Sequence, residues 1–323
     1  MIITVTMNPA IDKTIIVDTI SLGGLNRIHD VIIDAGGKGV NVSKTIAALG
    51  GKSIAMGFLG GSTGRDIETA LHTLGVETDF LKVSRATRTN LKIVCNDYGI
   101  TEFNEPGTQV SLDEMNALEE KLIGYARPGT IFVLSGSLPN GADSSTYQRI
   151  IEVLKGKGAS VFLDADGEAF KLAVAAKPDF IKPNMHEIIQ YTGKDRVYTI
   201  PELAVLCENF IDMGVKSVVL SMGAGGALFV SQNEKTLYSP ALKVDACSTV
   251  GAGDSMVGAA AYAQEKGMSG KDAAALAMAV SAGTVTTRGT KPPEGEVIEG
   301  LLKQAMFVIK ELLCYNDGRR REH

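Results

Sequence analysis

The strongest constraint on the fold is an alternation. Short β-branched, apolar runs (IITVTM, SIAMGFLG, TIFVLSG, SVFLDA, FIKPN and SVVLSMG) take turns with stretches whose apolar residues recur every three or four positions: VNVSKTIAALG, GRDIETALHTLG, SLDEMNALEEKLIGYA, SSTYQRIIEVLKGKG, IPELAVLCENFIDMG and KDAAALAMAVSAGTV. A run that is apolar throughout needs cover on both faces, whereas the three-to-four repeat makes a helix with one apolar stripe. Strands separated by helices pair in parallel, so the pattern predicts an α/β fold with a central, mostly parallel sheet flanked by helices. With 323 residues, 45% of them hydrophobic, the chain has the apolar material to fill such a core.

Two segments depart from this rhythm. IDKTIIVDTISLGGLNRIHDVIIDAGG and RTNLKIVCNDYGITEFNEPG alternate apolar and polar residues, broken by Gly, Asn and Asp. They read as hairpins, from about 11–35 and 88–106, forming a small antiparallel β-sheet lid inserted in one domain that covers 1–323. One face of such a lid needs a ligand or another chain to cover it. The carboxy-terminal LLKQAMFVIKELL reads as an amphipathic closing helix, and DGRRREH as a solvated tail.

Several classes of function fall away. A net charge of −5 argues against a general nucleic-acid surface, which draws its affinity from many Lys and Arg. No apolar run reaches the roughly 18 to 20 residues of a membrane span, and MIITVTMNPAID lacks the basic start and cleavage site of a signal peptide. A cytoplasmic protein with neither membrane nor nucleic-acid partners is expected. Cys95, Cys207, Cys247 and Cys314 form no CxxC pair, which predicts buried reduced thiols and no disulfide or zinc site.

Four stretches carry chemistry. In STVGAGDSMVGAAAYAQEKG a helix begins near Gly253, and the glycines let backbone N–H groups at its positive end approach an anion. Asp254 is out of place beside an anion unless it caps the helix or takes a proton from the group attacking a phosphate. In DAGGKGVN, Gly37 and Gly39 flank Lys38 ahead of Asn41, which suits either a plain turn or a main-chain grip on a polar ligand. It is no Walker loop, because the nearest GKS, at 51–53, has Ile46 where the first glycine belongs. In KPNMHEIIQ, Asn184 and Glu187 share one helix face and suit either a helix cap or Mg²⁺, while Gln190 stands where a zinc motif needs its second histidine. In VVLSMGAGGALFV a glycine turn joins two strands, with Leu228 at the last glycine position of a dinucleotide fingerprint.

Taken in order, MNPAID, AGGKGVN, LSGSLP, KPN followed by Glu187, SMGAGG and STVGAGDS resemble the ribokinase/PfkB carbohydrate kinase family over residues 1 to about 290. The likeness is greatest to its phosphosugar kinases that act on fructose 1-phosphate or tagatose 6-phosphate. It implies a Rossmann-like ribokinase fold whose β-sheet lids clasp in a homodimer, and ATP- and Mg²⁺-dependent phosphorylation of a ketohexose phosphate. Fructose 1-phosphate, giving fructose 1,6-bisphosphate, is the leading expectation. Tagatose 6-phosphate is the alternative and fructose 6-phosphate the third; a non-catalytic sugar-phosphate or nucleotide sensor is the reading from another class.

By the same resemblance Asp254 is the catalytic base, and Gly251, Ala252 and Gly253 donate to the transferring phosphoryl group. Asp12, Gly37, Lys38, Gly39 and Asn41 hold the sugar, while Arg27, Arg88 and Ser137 meet its phosphate. Asn184 and Glu187 serve Mg²⁺ and the ATP phosphates, and Ser221, Gly223, Ala224, Gly225, Gly226 and Thr249 line ATP. Ser248 replaces the acidic residue that opens the commoner family signature, and K⁺ beside the anion turn is a further expectation.

Overall fold

A computed structural model describes residues 1–312 apart from 96 and 98. Cys314 and the DGRRREH tail lie outside the described residues. In chain order the elements are β1 (Ile2–Thr6), β2 (Ala10–Val17), β3 (Asp30–Gly36), α1 (Lys38–Ala48), β4 (Ser53–Gly60), α2 (Gly61–Thr73), β5 (Glu77–Thr78), β6 (Leu81–Val83), β7 (Arg88–Cys95) and β8 (Gly99–Asn104). There follow α3 (Leu112–Tyr125), β9 (Ile131–Ser135), α4 (Thr146–Gly156), β10 (Ser160–Asp164), α5 (Gly167–Ala175), β11 (Phe180–Ile181), α6 (Met185–Thr192), α7 (Ile200–Asp212) and β12 (Ser217–Ser221). The chain closes with β13 (Ala227–Ser231), β14 (Leu237–Ser239), α8 (Ala252–Lys266), α9 (Gly270–Thr284), α10 (Gly295–Val308) and β15 (Lys310–Glu311). All six apolar runs are strands and all six periodic stretches are helices, as expected.

The body sheet runs β15-β14-β13-β12-β11-β10-β9-β1-β4-β5, with β6 also on β4. Pairing is parallel from β12 to β5 and antiparallel from β12 to β15. Alternate residues of one strand feed two cores, because successive side chains point to opposite faces. Phe132 and Leu134 of β9 pack toward α3 through α7, while Ile131 and Val133 pack toward α8 and α9. β1 has β4 on one side and β9 on the other. The strand order reverses there, which opens a crevice beyond the carboxyl ends of the strands.

The lid is a second sheet, β3-β2-β7-β8. Each expected hairpin is antiparallel, and the two join along a parallel seam where Asp12 lies opposite Asn90. The seam is parallel because β2 and β7 both leave the body in the outward direction. Every residue of β8 is exposed.

Two sequence expectations need correction. The closing helix ends at Val308: Ile309 turns extended and Lys310–Glu311 pair with the free edge of β14, so its last described residues form a strand. Cys95 and Cys207 are buried thiols, but Cys247 is exposed, because it sits in the loop before α8 and not in a core element. Among the described residues no helix is long and apolar enough to cross a membrane.

Candidate active site

Helices α1 and α8 lie side by side and both start at the crevice. Gly251 caps α8 with φ +81°, a left-handed conformation that favours glycine, so the turn delivers its N–H groups at the helix mouth. A side chain at Gly253 would place its Cβ 3.1 Å from Lys182 Nζ; glycine leaves that ammonium beside the turn. Asp254 follows in the first turn, buried, and its Oδ2 accepts a hydrogen bond from Asn41 Nδ2 of α1 at 2.8 Å.

Around Asp254 stands an ionic knot in which Lys38 and Glu187 were expected site residues, while Asp164 and Lys182 were not. Lys38 Nζ lies 3.2 Å from Asp164 Oδ1 and 3.8 Å from Glu187 Oε1, and Lys182 Nζ lies 3.6 Å from Asp164 Oδ1. Asp164 and Lys182 stand at the ends of β10 and β11, and only the parallel pairing of those strands makes them neighbours. Burial by itself would raise the Asp164 carboxyl, but Lys182 and Lys38 outweigh it and hold the group below the usual carboxylate range. Asp254 goes the other way: burial, then the negative charge of Asp164, pushes its proton affinity up against the pull of Lys38, Asn41 and Lys182. Two neighbouring carboxylates are thereby driven apart, one a fixed anion and the other suited to accept a proton. Burial also raises Glu187, with Lys38 opposing.

At the lid end, Asp12 is buried and accepts from Asn90 Nδ2 at 3.0 Å, with Lys92 Nζ 3.9 Å away. Asn90 and Lys92 are further site residues; their period-two spacing from Arg88 in RTNLK was the available signal. Arg88 donates to the carbonyls of Asn8 and Glu105 at 3.3 and 3.2 Å, and Asn8 Nδ2 donates to Ser137 Oγ at 3.0 Å. Asp12, Asp34, Lys92, Ser248, Arg288 and Thr290 border a cavity of about 190 Å³ between lid and body. Along the site, from the lid root to the ionic knot, several buried polar atoms lack partners: Asn8 Oδ1, Asn41 Oδ1, Asn90 Oδ1, Arg88 Nε and Asp164 Oδ2. Such atoms are costly unless a ligand or solvent satisfies them.

The structure does not bring Arg27 to this group. It is exposed in the loop beyond the Ile16–Asp30 pair, four residues up β2 from Asp12, or about 13 Å at a strand's rise. Gly37 caps α1, followed by Lys38, Gly39 and Asn41 in its first turns, so the AGGKGVN stretch lies at the crevice.

At the other end Ser221 meets Asn184 in an isolated bridge, and Gly223–Gly225 form an exposed single turn ahead of Gly226. Thr249 is exposed in the loop before α8. Asn184 and Glu187 form a capping box: Asn184 Oδ1 accepts from Glu187 N, and Glu187 Oε2 accepts from Asn184 N, both at 2.9 Å. That leaves Glu187 Oε1 and Asp164 Oδ2 for a cation. No group of three His, Cys, Asp or Glu among the described residues is set to hold a metal. The donors fit Mg²⁺, which keeps waters and takes one or two carboxylates plus phosphates.

The chain is 32% identical to a 1-phosphofructokinase of Borreliella burgdorferi over 88% of this chain and 91% of that one. It is also 32% identical to a tagatose-6-phosphate kinase of Staphylococcus epidermidis over 80% and 83%. The fold superposes on phosphofructokinase-2 from Escherichia coli in complex with potassium with a TM-score of 0.88 at 28% identity, covering 94% of this chain and 98% of that one. Residues 5–296 match the family described as pfkB family carbohydrate kinase, and the chain belongs to it.

Proposed function

We propose that the chain transfers the γ-phosphoryl group of ATP to a hydroxyl of a ketohexose phosphate, with fructose 1-phosphate as the acceptor. The observation that carries this reading is Asp254: a buried carboxylate with raised proton affinity, in the first turn of α8, beside the half-buried Lys38 and the buried Lys182 of an ionic knot. The acceptor hydroxyl comes within about 3 Å of Asp254, gives up its proton to it and attacks phosphorus in line. The bond from phosphorus to the ADP oxygen breaks and ADP leaves with the electron pair. The N–H groups of the 251–253 turn meet the charge on the moving phosphoryl group, and Lys38 and Lys182 add theirs. Mg²⁺, when bound with ATP, neutralises phosphate charge. Glu187 and Asn184 would hold it, with Glu187 Oε1, which the capping box leaves open, and the unpartnered Asp164 Oδ2 as the available oxygens. Transfer is direct: Ser255, the next hydroxyl, is buried and bonded to Thr284 Oγ1 at 2.7 Å.

At the far end of the sugar, Arg88 and Ser137 meet the resident phosphate, and Asp12, Asn41 and the 37–39 turn hold hydroxyls. Ser221, the 223–226 turn and Thr249 take ATP. Fructose 1-phosphate leads because similarity to the Borreliella burgdorferi 1-phosphofructokinase covers more of the chain than similarity to the tagatose-6-phosphate kinase. Residues 1–323 then form one kinase domain with an inserted lid, working in the cytoplasm as a homodimer joined by lids. Leu22, Leu25, Ile28, Ile33, Ile100 and Phe103 supply the apolar lid surface, each at least 51% exposed. Arg27 reaches a sugar phosphate only when another chain's lid carries it there.

The test is ADP release with Mg²⁺ATP against fructose 1-phosphate, tagatose 6-phosphate, fructose 6-phosphate and free fructose, in KCl and again in NaCl. The highest kcat/KM with fructose 1-phosphate, and a faster rate in KCl, are expected. Preference for tagatose 6-phosphate moves the acceptor and keeps the mechanism. Phosphosugar binding without turnover makes the protein a sensor.

A further inference from the structure

Lys44 is a buried charge with no part in the scheme above. It lies on α1 one turn past Asn41, is 5% exposed, and donates to Ala35 O and Thr290 Oγ1, both at 2.8 Å. The two partners belong to different elements. Ala35 sits near the end of lid strand β3, just before the 36–37 turn that leads into α1. Thr290 follows α9, and its Cβ lies 3.7 Å from where a Cβ on Gly251 would stand, so it backs the anion turn. Asp12 of β2, Asp34 of β3 and Asp254 of α8 attract the ammonium, and Lys291 opposes it. An apolar side chain of similar volume often serves the fold as well as a buried ionic group, so the retained charge calls for a use.

We propose that Lys44 is a positioning residue whose ammonium ties the root of the lid to the catalytic turn, so that Asp12 at the sugar and Asp254 at the phosphoryl group keep one spacing. The proposal rests on the kinase reading of the site. Burial is the main influence on the ammonium and holds its pKa down at about 8. Between there and the ordinary lysine value of about 10.4 the unfolded chain binds the extra proton and the folded chain does not. Carrying the charge therefore costs stability below pH 8, and that cost fades as pH rises. Within the folded enzyme the tie weakens over the same range.

The experiment compares the wild type with Lys44→Met and Lys44→Arg from about pH 6.5 to 9.5, reading kinetics for both substrates, Tm and hydrogen exchange of the lid amides. Wild-type kcat/KM for the phosphosugar falls above about pH 8, and the Arg variant, permanently charged, keeps activity without that fall. The Met variant loses at least about tenfold in kcat/KM for the phosphosugar while its KM for ATP stays within about threefold. Its lid amides exchange faster, and the wild type gains Tm relative to it as pH rises past about 8. Phosphosugar kinetics of the Met variant within about twofold of wild type, or an unchanged alkaline fall in the Arg variant, overturns the proposal. A wild type inactive on every phosphosugar instead overturns the kinase reading. In that case lid exchange and the pH-dependent Tm difference still decide on Lys44, since identical values in wild type and Met variant defeat the tie.

Discussion

Replacing Asp254 by Asn removes the proposed base and keeps the shape of the site. The amide oxygen of the new side chain accepts the same hydrogen bond from Asn41 Nδ2, now 2.8 Å from Oδ2, so the two helix starts stay joined. A positioned general base contributes about 10²- to 10⁴-fold to rate. At 1.36 kcal/mol per tenfold, kcat should fall by about 3–5 kcal/mol of barrier. Stability should move the opposite way. Burial and Asp164 raise the folded pKa of Asp254, so its contribution favours the fold at low pH and is lost as pH rises through that value. At neutral pH the charged carboxylate therefore weakens the fold, and the Asn variant should melt no lower than wild type. For the wild type, kcat/KM should fall on acidification at a pH above the ordinary Asp value of about 3.9, because the base must be ionised to act. Coupled ADP release, with KM for ATP and Tm measured alongside, provides the assay. A variant whose kcat stays within about tenfold of wild type would show that Asp254 is not the base.

Other perturbations separate the parts of the site. Gly253→Ala puts a methyl 3.1 Å from Lys182 Nζ; displacing that flexible ammonium should lower kcat about tenfold and move Tm by no more than about 2 °C, and an unchanged kcat would remove Lys182 from the anion turn. Arg88→Leu deletes the proposed charge-assisted contact with the sugar phosphate, worth about 1.5–3 kcal/mol, so KM for the phosphosugar should rise about 10- to 150-fold with KM for ATP unchanged. Equal losses for both substrates would make Arg88 a structural support for the Asn8 and Glu105 carbonyls alone. If the proposed homodimer is joined by its lids, Ile33→Glu combined with Phe103→Glu, at residues 63% and 56% exposed, should turn a wild-type dimer into monomers in light scattering at micromolar concentration. An unchanged mass refutes the lid as the joint.

What the sequence determined by itself is whatever depends on neighbours along the chain. Runs that are apolar throughout, such as IFVLS of β9, demand cover on both faces, and the three-to-four repeat of TYQRIIEVLKG can bury only one stripe. The alternation of lid segments, the glycine-led start of α8 and the capping box of Asn184 and Glu187 are local in the same sense. Tertiary structure decided what depends on strand order. Asp164 carries no local signal of function and Lys182 only its place in KPN, yet parallel pairing of β10 and β11 sets them beside Lys38 from another part of the chain. Arg27 and Arg88 look alike in sequence, but the register of the β2–β3 hairpin puts one beyond the far end of the lid, and the parallel β2–β7 seam, with Arg88 opposite Ala10, puts the other at its root. Lys44 reads as an ordinary polar position on a helix until the β3 carbonyl and the Thr290 loop close around it. Periodicity reports which face of an element is covered. Proximity of charges across the crevice is set by sheet order and packing, which no stretch of the sequence carries by itself.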